Sequence, residues 1–262
     1  MAVSPLLVLV TSAVVAGGLA TLVVVVSISV DSWQDLTFDD KALKTINSSS
    51  HVNIISLSPS TQFLRVIETI GTGNVTVQES YVHSSTNGLW ETCDHLSDKE
   101  RNDYSHYLNG TITKKKCFIF VTDYNEDSPL LTTNAKQLAR LHNSAASCYI
   151  VVLIDLTSAI VVGFIGIFHK QVASCMVTGV LYFMAALFSM FGLAMFHTKH
   201  YYQTYECKSF DKLPQALCPA LHVEILYAVP LAWVGVFFCL FACTLWLVFA
   251  RALRVIMAKT ML

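Results

Sequence analysis

Four long stretches of this chain carry almost no charge, and they restrict what it can fold into more than any other feature. Residues 6–30, 172–196 and 225–250 contain no charged side chain, and residues 145–168 contain one, Asp155. Each stretch reaches the length of roughly 20 residues that an α-helix needs to cross the hydrocarbon core. Only 13% of the 262 residues are charged, against about a quarter in soluble domains. The pattern predicts an integral membrane protein with four spans.

The first stretch has a second interpretation, as a secretory signal peptide. Its apolar run is long for a signal peptide, no basic residue precedes it, and no clean small-x-small cleavage site stands before Asp31. These features favour a first span that is retained in the mature protein.

The connections between the spans predict the orientation. The large loop 31–144 contains ten basic and fourteen acidic residues, whereas the turn 169–171 and the tail 251–262 contain basic residues and no acid. Basic residues next to spans stay on the cytoplasmic side. We therefore expect a single domain, 1–262, in the plasma membrane, with both termini and the turn cytoplasmic. Loops 31–144 and 197–224 then lie outside the cell.

Glycosylation acceptors support this orientation. Asn47-Ser48-Ser49, Asn74-Val75-Thr76 and Asn109-Gly110-Thr111 match the acceptor pattern, and all three lie in the large loop. The sequence predicts a glycoprotein modified at Asn47, Asn74 and Asn109.

The cysteines divide evenly between the loops. Cys93 and Cys117 lie in the large loop, and Cys207 and Cys218 lie in the small one. An oxidising exterior favours disulfides, and the simplest pairing joins the two cysteines within each loop, although a cross-loop pairing is also consistent with the sequence. The other four cysteines lie in spans, where Cys175, near the cytoplasmic end of the third span, is a candidate for palmitoylation.

The large loop contains runs that alternate in the manner of strands. They cover residues 51–57, 61–70 and 74–82, with a turn signal at 71–74, and a further β-rich run covers 114–124. The loop is therefore predicted to form a small antiparallel sheet, supported by a disulfide and by the helices beneath it.

Together these features resemble the claudin superfamily, which includes claudins, peripheral myelin and epithelial membrane proteins, calcium channel gamma subunits and the AMPA-receptor regulatory proteins. The resemblance implies a left-handed four-helix transmembrane bundle capped by a small extracellular antiparallel β-sheet. Independently of the resemblance, the residues give no reason to expect a cofactor, a metal site or catalytic activity. The residues that carry the resemblance are Trp33, Gly88, Leu89, Trp90, Cys93, Cys117 and, just before the second span, Arg140.

Within that resemblance, Trp90 is expected to seat the sheet against the helices or to lie at the headgroup level. The chain departs from the signature in two places. The stretch from Trp33 to Gly88 is much longer than in junctional claudins, and the pair Cys207 and Cys218 is not part of the shared pattern.

Two further features point to partners. Asp155 is an acid inside a span, which costs about 2.5–3.5 kcal/mol on insertion scales. We expect its carboxyl to bond with a hydroxyl of a neighbouring span, or to contact a membrane partner. The tail Thr260-Met261-Leu262 fits the pattern of ligands that add a strand to a cytosolic PDZ domain.

The sequence shows no nucleophile–base spacing, phosphate loop or zinc spacing, so an enzyme is the least favoured class, and no nucleic-acid partner is expected. Besides membrane lipid, the expected partner is an ion channel or receptor that this protein binds laterally as an auxiliary subunit, changing its trafficking or gating. The alternative is a junctional adhesion or barrier protein that associates with itself at cell contacts. Glycans on an enlarged loop would obstruct such assembly and favour the auxiliary role.

Overall fold

The computed structural model describes residues 5–49, 52–58, 62–70, 76–103, 116–119, 133–209 and 213–260. Four helices in it are long and apolar enough to cross a membrane: α1 (Pro5–Ser29), α4 (Thr133–Phe168), α5 (Val172–Tyr205) and α6 (Ala228–Thr260). Shorter helices α2 (Asp40–Ser49) and α3 (Asp98–Asp103) and a 3₁₀ helix (Gln215–Ala220) complete the described helical elements.

The helices extend beyond the apolar runs that predicted them. Helix α4 begins at Thr133 rather than near residue 145, and α5 ends at Tyr205 rather than near 196. The bilayer sets only the length of the apolar part, so a helix continues into polar sequence wherever its side chains find other packing. The outer loops are correspondingly shorter than the predicted 31–144 and 197–224.

The chain divides into two compact units, and the prediction of a single domain stays a prediction. The helical unit comprises residues 1–30, 144–194 and 228–262. Small side chains fill its interior, including Ala20, Ala185 and Ala242, each fully buried. A Cβ added at Gly235 would lie 2.7 Å from Val24, so α1 and α6 pack with their backbones close together, as small residues allow in membranes. Large apolar side chains cover the outside.

The sheet unit comprises residues 31–143 and 195–227. The described residues of this unit form two antiparallel sheets, which confirms the prediction of antiparallel sheet structure in the large loop. The five-stranded sheet has the order β7-β6-β5-β1-β8 and the three-stranded sheet the order β2-β3-β4. The strands are β1 (Gln34–Phe38), β2 (Val52–Ser58), β3 (Phe63–Ile70), β4 (Thr76–Val82), β5 (Ser85–Asn87), β6 (Glu91–Asp94), β7 (Cys117–Ile119) and β8 (Leu221–Ile225).

Strands β2, β3 and β4 match the alternating runs seen in the sequence, although the turn at 71–74 lies outside the described residues, as does most of 114–124. Strand β8 was not predicted. It comes from the small loop and pairs with β1 along its whole length, from Gln34 opposite Ile225 to Phe38 opposite Leu221. The core beneath these strands combines both loops, since Leu36 and Phe38 cluster with Leu217 and Val223.

Candidate functional site

The first signature residue, Trp33, is a core residue of the sheet unit. Its side chain is 0% exposed, and its ring meets Phe196 edge to face with centroids 5.1 Å apart. Its backbone joins two strand ends, because its N–H donates to Asn87 (3.2 Å) and its carbonyl accepts from Leu226 (3.0 Å). Trp33 therefore connects β1, the β5 end and helix α5.

The Gly88-Leu89-Trp90 run forms the turn between β5 and β6. The Gly88 N–H donates to the Glu91 carbonyl at 2.8 Å, and a Cβ at Gly88 would lie 2.9 Å from the Asp31 Cα, so only glycine fits without displacing backbone. Leu89 is 1% exposed, whereas Trp90 is only half-buried. The fully buried anchors of the signature are thus Trp33 and Leu89, and the role expected for Trp90 stays a prediction.

Both disulfides lie within their own loops, which removes the cross-loop alternative from this structure. Cys93 bonds Cys117, and the two residues face each other directly in the β6–β7 pair. Cys207 bonds Cys218 and ties the end of α5 to the 3₁₀ helix. Glu91 lies beside the first pair of sulfurs, but disulfide sulfurs offer no thiolate to a metal.

A buried polar pair lies next to the signature and was missed in the sequence. Lys199 is 0% exposed and His142 is 1% exposed, and the Lys199 Nζ lies within hydrogen-bond distance of the His142 Nδ1, at 3.1 Å. His142 also hydrogen-bonds to the backbone of Leu89. The Lys199 ammonium lies 5.7 Å from the centroid of the Phe196 ring. Arg140, the signature basic residue, is exposed two positions before His142.

A second polar contact joins β1 to α5. The Gln34 Nε2 donates to the Gln203 Oε1 at 3.0 Å and approaches the His200 Nδ1 at 3.3 Å. Phe196, Lys199 and Gln203 follow one another at helical spacing, and all three are buried. Because Lys199 and Gln203 are polar, the helical periodicity of apolar residues gave no signal for this buried face. These polar side chains can orient helices and strands.

The three-stranded sheet carries its own ion pair. The Arg65 guanidinium donates to the Glu79 carboxylate, and the Tyr81 hydroxyl donates to the same oxygen. The hydrogen bond from Arg65, followed by that from Tyr81, lowers the pKa of Glu79 below its usual value. The pair is largely exposed, so it contributes little stability.

Asp155 lies in the membrane part of α4 and is half-buried. Its Oδ2 is buried and accepts no hydrogen bond from any residue that the structure describes. The described residues thus give this oxygen no donor, and the expected bond to a neighbouring hydroxyl stays a prediction. The hydroxyl of nearby Thr157 bonds instead to its own helix backbone, at Leu153 (2.9 Å).

The remaining predicted sites are only partly described. Cys175 is 0% exposed, and since lipid attachment needs an accessible thiol, its burial argues against palmitoylation. Asn47 is exposed near the end of α2, and its Oδ1 accepts a hydrogen bond from the Ile54 N–H at 3.1 Å. The other two acceptors, Asn74 and Asn109, lie outside the described residues, as do Met261 and Leu262 of the tail. The PDZ-ligand prediction at Thr260-Met261-Leu262 stays a prediction.

Comparison with known proteins agrees with this architecture. A family model described as PMP-22/EMP/MP20/Claudin tight junction matches residues 18–248, which is most of the chain. Comparison with curated proteins finds none that matches. The match covers α4 and α5, parts of α1 and α6, the signature residues and both disulfides, and the family is one of non-enzymatic membrane proteins. The chain belongs to the PMP-22/EMP/MP20/claudin family.

Proposed function

We propose that this protein is an auxiliary subunit of the plasma membrane, which binds an ion channel or receptor laterally and changes its trafficking or gating. In this proposal both termini are cytoplasmic and the sheet unit is extracellular. The distribution of basic residues and the glycosylation acceptors support that orientation. The protein acts by binding, without a catalytic step.

The observation that carries the proposal is the buried Oδ2 of Asp155, which lacks a donor among the described residues. A carboxyl in the hydrocarbon region is costly unless a cation or a donor meets it, and the buried Oδ2 has no donor among the described residues. The runs 6–30, 145–168, 172–196 and 225–250 contain no Lys, Arg or His. A second copy of this chain would therefore bring no cation to the same depth. A different membrane protein, carrying a basic residue in a span, would satisfy Asp155.

A junctional role is the second candidate, since the description of the family model includes tight junctions. Junctional strands require copies of the same chain to meet side by side. The sheet β2-β3-β4 is inserted between β1 and β5, and in the sequence the acceptor Asn74 comes two residues before β4 begins. An added sheet with glycans would obstruct close packing of copies, which favours the auxiliary role.

Purification of the native complex in mild detergent tests the proposal. We expect a channel or receptor to co-elute in fixed stoichiometry with the wild-type chain. Complexes that contain only this chain, concentrated at cell contacts, would support the junctional role and exclude the auxiliary one.

Variants of Asp155 test whether its carboxyl binds the membrane partner. Removal of one partner of a buried charge pair costs about 2–5 kcal/mol, so Asp155→Leu should weaken the complex roughly 30-fold or more. Asp155→Asn should also weaken it, because the amide keeps hydrogen bonding but loses the charge. Thr157→Val is the matched control and should leave the complex unchanged. Equal affinity of wild type and Asp155→Leu would show that Asp155 does not bind the partner.

A further inference from the structure

A cavity of about 340 Å³ lies in the sheet unit between helix α2 and strands β2 and β3. Its apolar walls are Leu43, Ile54 and Leu64, and Asp40, Lys44 and Ser56 add polar groups. The volume is near the lower end of the roughly 300–1,000 Å³ found for small-ligand pockets. It suits a single compact group with one apolar face and several hydroxyls.

Asn47 lies on the wall of the same cavity. On α2 the residues Asp40, Leu43, Lys44 and Asn47 follow at helical spacing, so they share one face of the helix. Strand β2 is at the edge of its sheet, and its Ile54 N–H donates to the Asn47 Oδ1 at 3.1 Å. This bond fixes the orientation of the asparagine amide beside the cavity.

The amide chemistry leaves Asn47 available for modification. A glycosidic bond forms at Nδ2, and the Oδ1 that accepts from Ile54 keeps its lone pairs. The hydrogen bond is therefore compatible with a sugar on the same side chain.

We propose that Asn47 carries an N-linked glycan whose first N-acetylglucosamine occupies this cavity. Its pyranose CH groups would lie against Leu43 and Leu64, and its hydroxyls and acetamide would face Ser56 and Lys44. The donor is a lipid-diphosphate-linked oligosaccharide. The Nδ2–C1 bond forms as the C1–O bond to the diphosphate breaks, and Nδ2 loses one proton. The proposal requires the extracellular orientation of the sheet unit but not the auxiliary role.

A seated first sugar would act as part of the fold. It would cover the half-buried Ile54 and the cavity-facing edges of the buried Leu43 and Leu64, and it would join α2 to the edge of β2. The next sugars would extend into solvent. The stability of the sheet unit should therefore depend on the first sugar and not on the rest of the glycan.

Two glycosidases separate the first sugar from the others. The double variant Asn74→Gln, Asn109→Gln, made in cells that produce only high-mannose glycans, leaves Asn47 as the remaining acceptor of the three. Endoglycosidase H leaves one N-acetylglucosamine on the asparagine, and peptide N-glycosidase F removes it and leaves aspartate. We expect the first product to keep the Tm of the intact glycoprotein and the second to lose on the order of 3 °C or more.

Two controls test whether loss of the first sugar at Asn47 is what lowers the Tm. Asn47→Gln in the same background lacks the sugar without gaining a carboxylate, and it should share the lower Tm. A chain glycosylated only at Asn109 should show equal Tm values after the two enzymes. Glycopeptide mass spectrometry that finds Asn47 unmodified overturns the proposal. Equal Tm values for the two products of the Asn47 glycoform overturn it as well, whatever partner the protein binds.

Discussion

The family signature contains two tryptophans, and the structure predicts that they contribute very unequally to stability. Trp33 is 0% exposed and packs edge to face on Phe196 at 5.1 Å. Truncation of a fully buried tryptophan costs about 3–5 kcal/mol, of which the aromatic pair accounts for about 1 kcal/mol. Trp90 is half-buried, so its truncation should cost about 2 kcal/mol or less.

Thermal denaturation of the detergent-purified protein, followed by size exclusion of a fluorescent fusion, measures the difference. At roughly 2–4 °C per kcal/mol, a loss of 4 kcal/mol in Trp33→Ala lowers the Tm by about 8–16 °C. Trp90→Ala is the matched comparison and should lose less than half as much. Phe196→Leu and the double variant Trp33→Ala, Phe196→Leu complete a double-mutant cycle. The interaction free energy between the two rings should be about 0.5–1.5 kcal/mol. Equal losses for the two tryptophans, or no coupling to Phe196, would refute the reasoning.

Two further predictions concern the stability and folding of the sheet unit. Gly88→Ala places a Cβ 2.9 Å from the Asp31 Cα and should cost about 1–3 kcal/mol, whereas Gly18→Ala meets nothing within 4 Å and should leave the Tm unchanged or higher. The Cys93 and Cys207 disulfides have sequence separations of 24 and 11, so loop entropy gives about 3.4 and 2.8 kcal/mol. Cys93→Ser should therefore reduce surface delivery more than Cys207→Ser. Normal delivery of Cys93→Ser would contradict this account of the loop.

Much of the sheet unit was predictable because its signals are local. Strands β2, β3 and β4 follow the alternation of apolar and polar residues, and the chain carries that pattern without reference to anything distant. Helix α2 was missed because its ten residues contain few apolar side chains. It is stabilised by packing, with Leu43 buried in the same cluster as Leu64 and Leu217.

The candidate sites were predictable to different degrees. The Asn47 acceptor is visible in three consecutive residues, but its cavity depends on Ile54 and Leu64, which come from other elements. Asp155 stands out as an acid in an apolar run, yet only the structure shows that no described residue bonds its Oδ2. The burial of Lys199 could not be predicted, because a lysine just beyond an apolar run is expected at the surface.

The sequence by itself determined the four spans and the signature, because hydropathy and motif residues can be read along the chain, and it left the disulfide pairing open. Tertiary structure alone decided that β8 completes the sheet beside β1, that Trp33 rather than Trp90 is fully buried, and that Lys199 contacts His142. Each of these depends on contacts between residues far apart in the chain. The free energy of such a contact is gained only when both partners are in place, so no pattern within a short stretch of sequence predicts it.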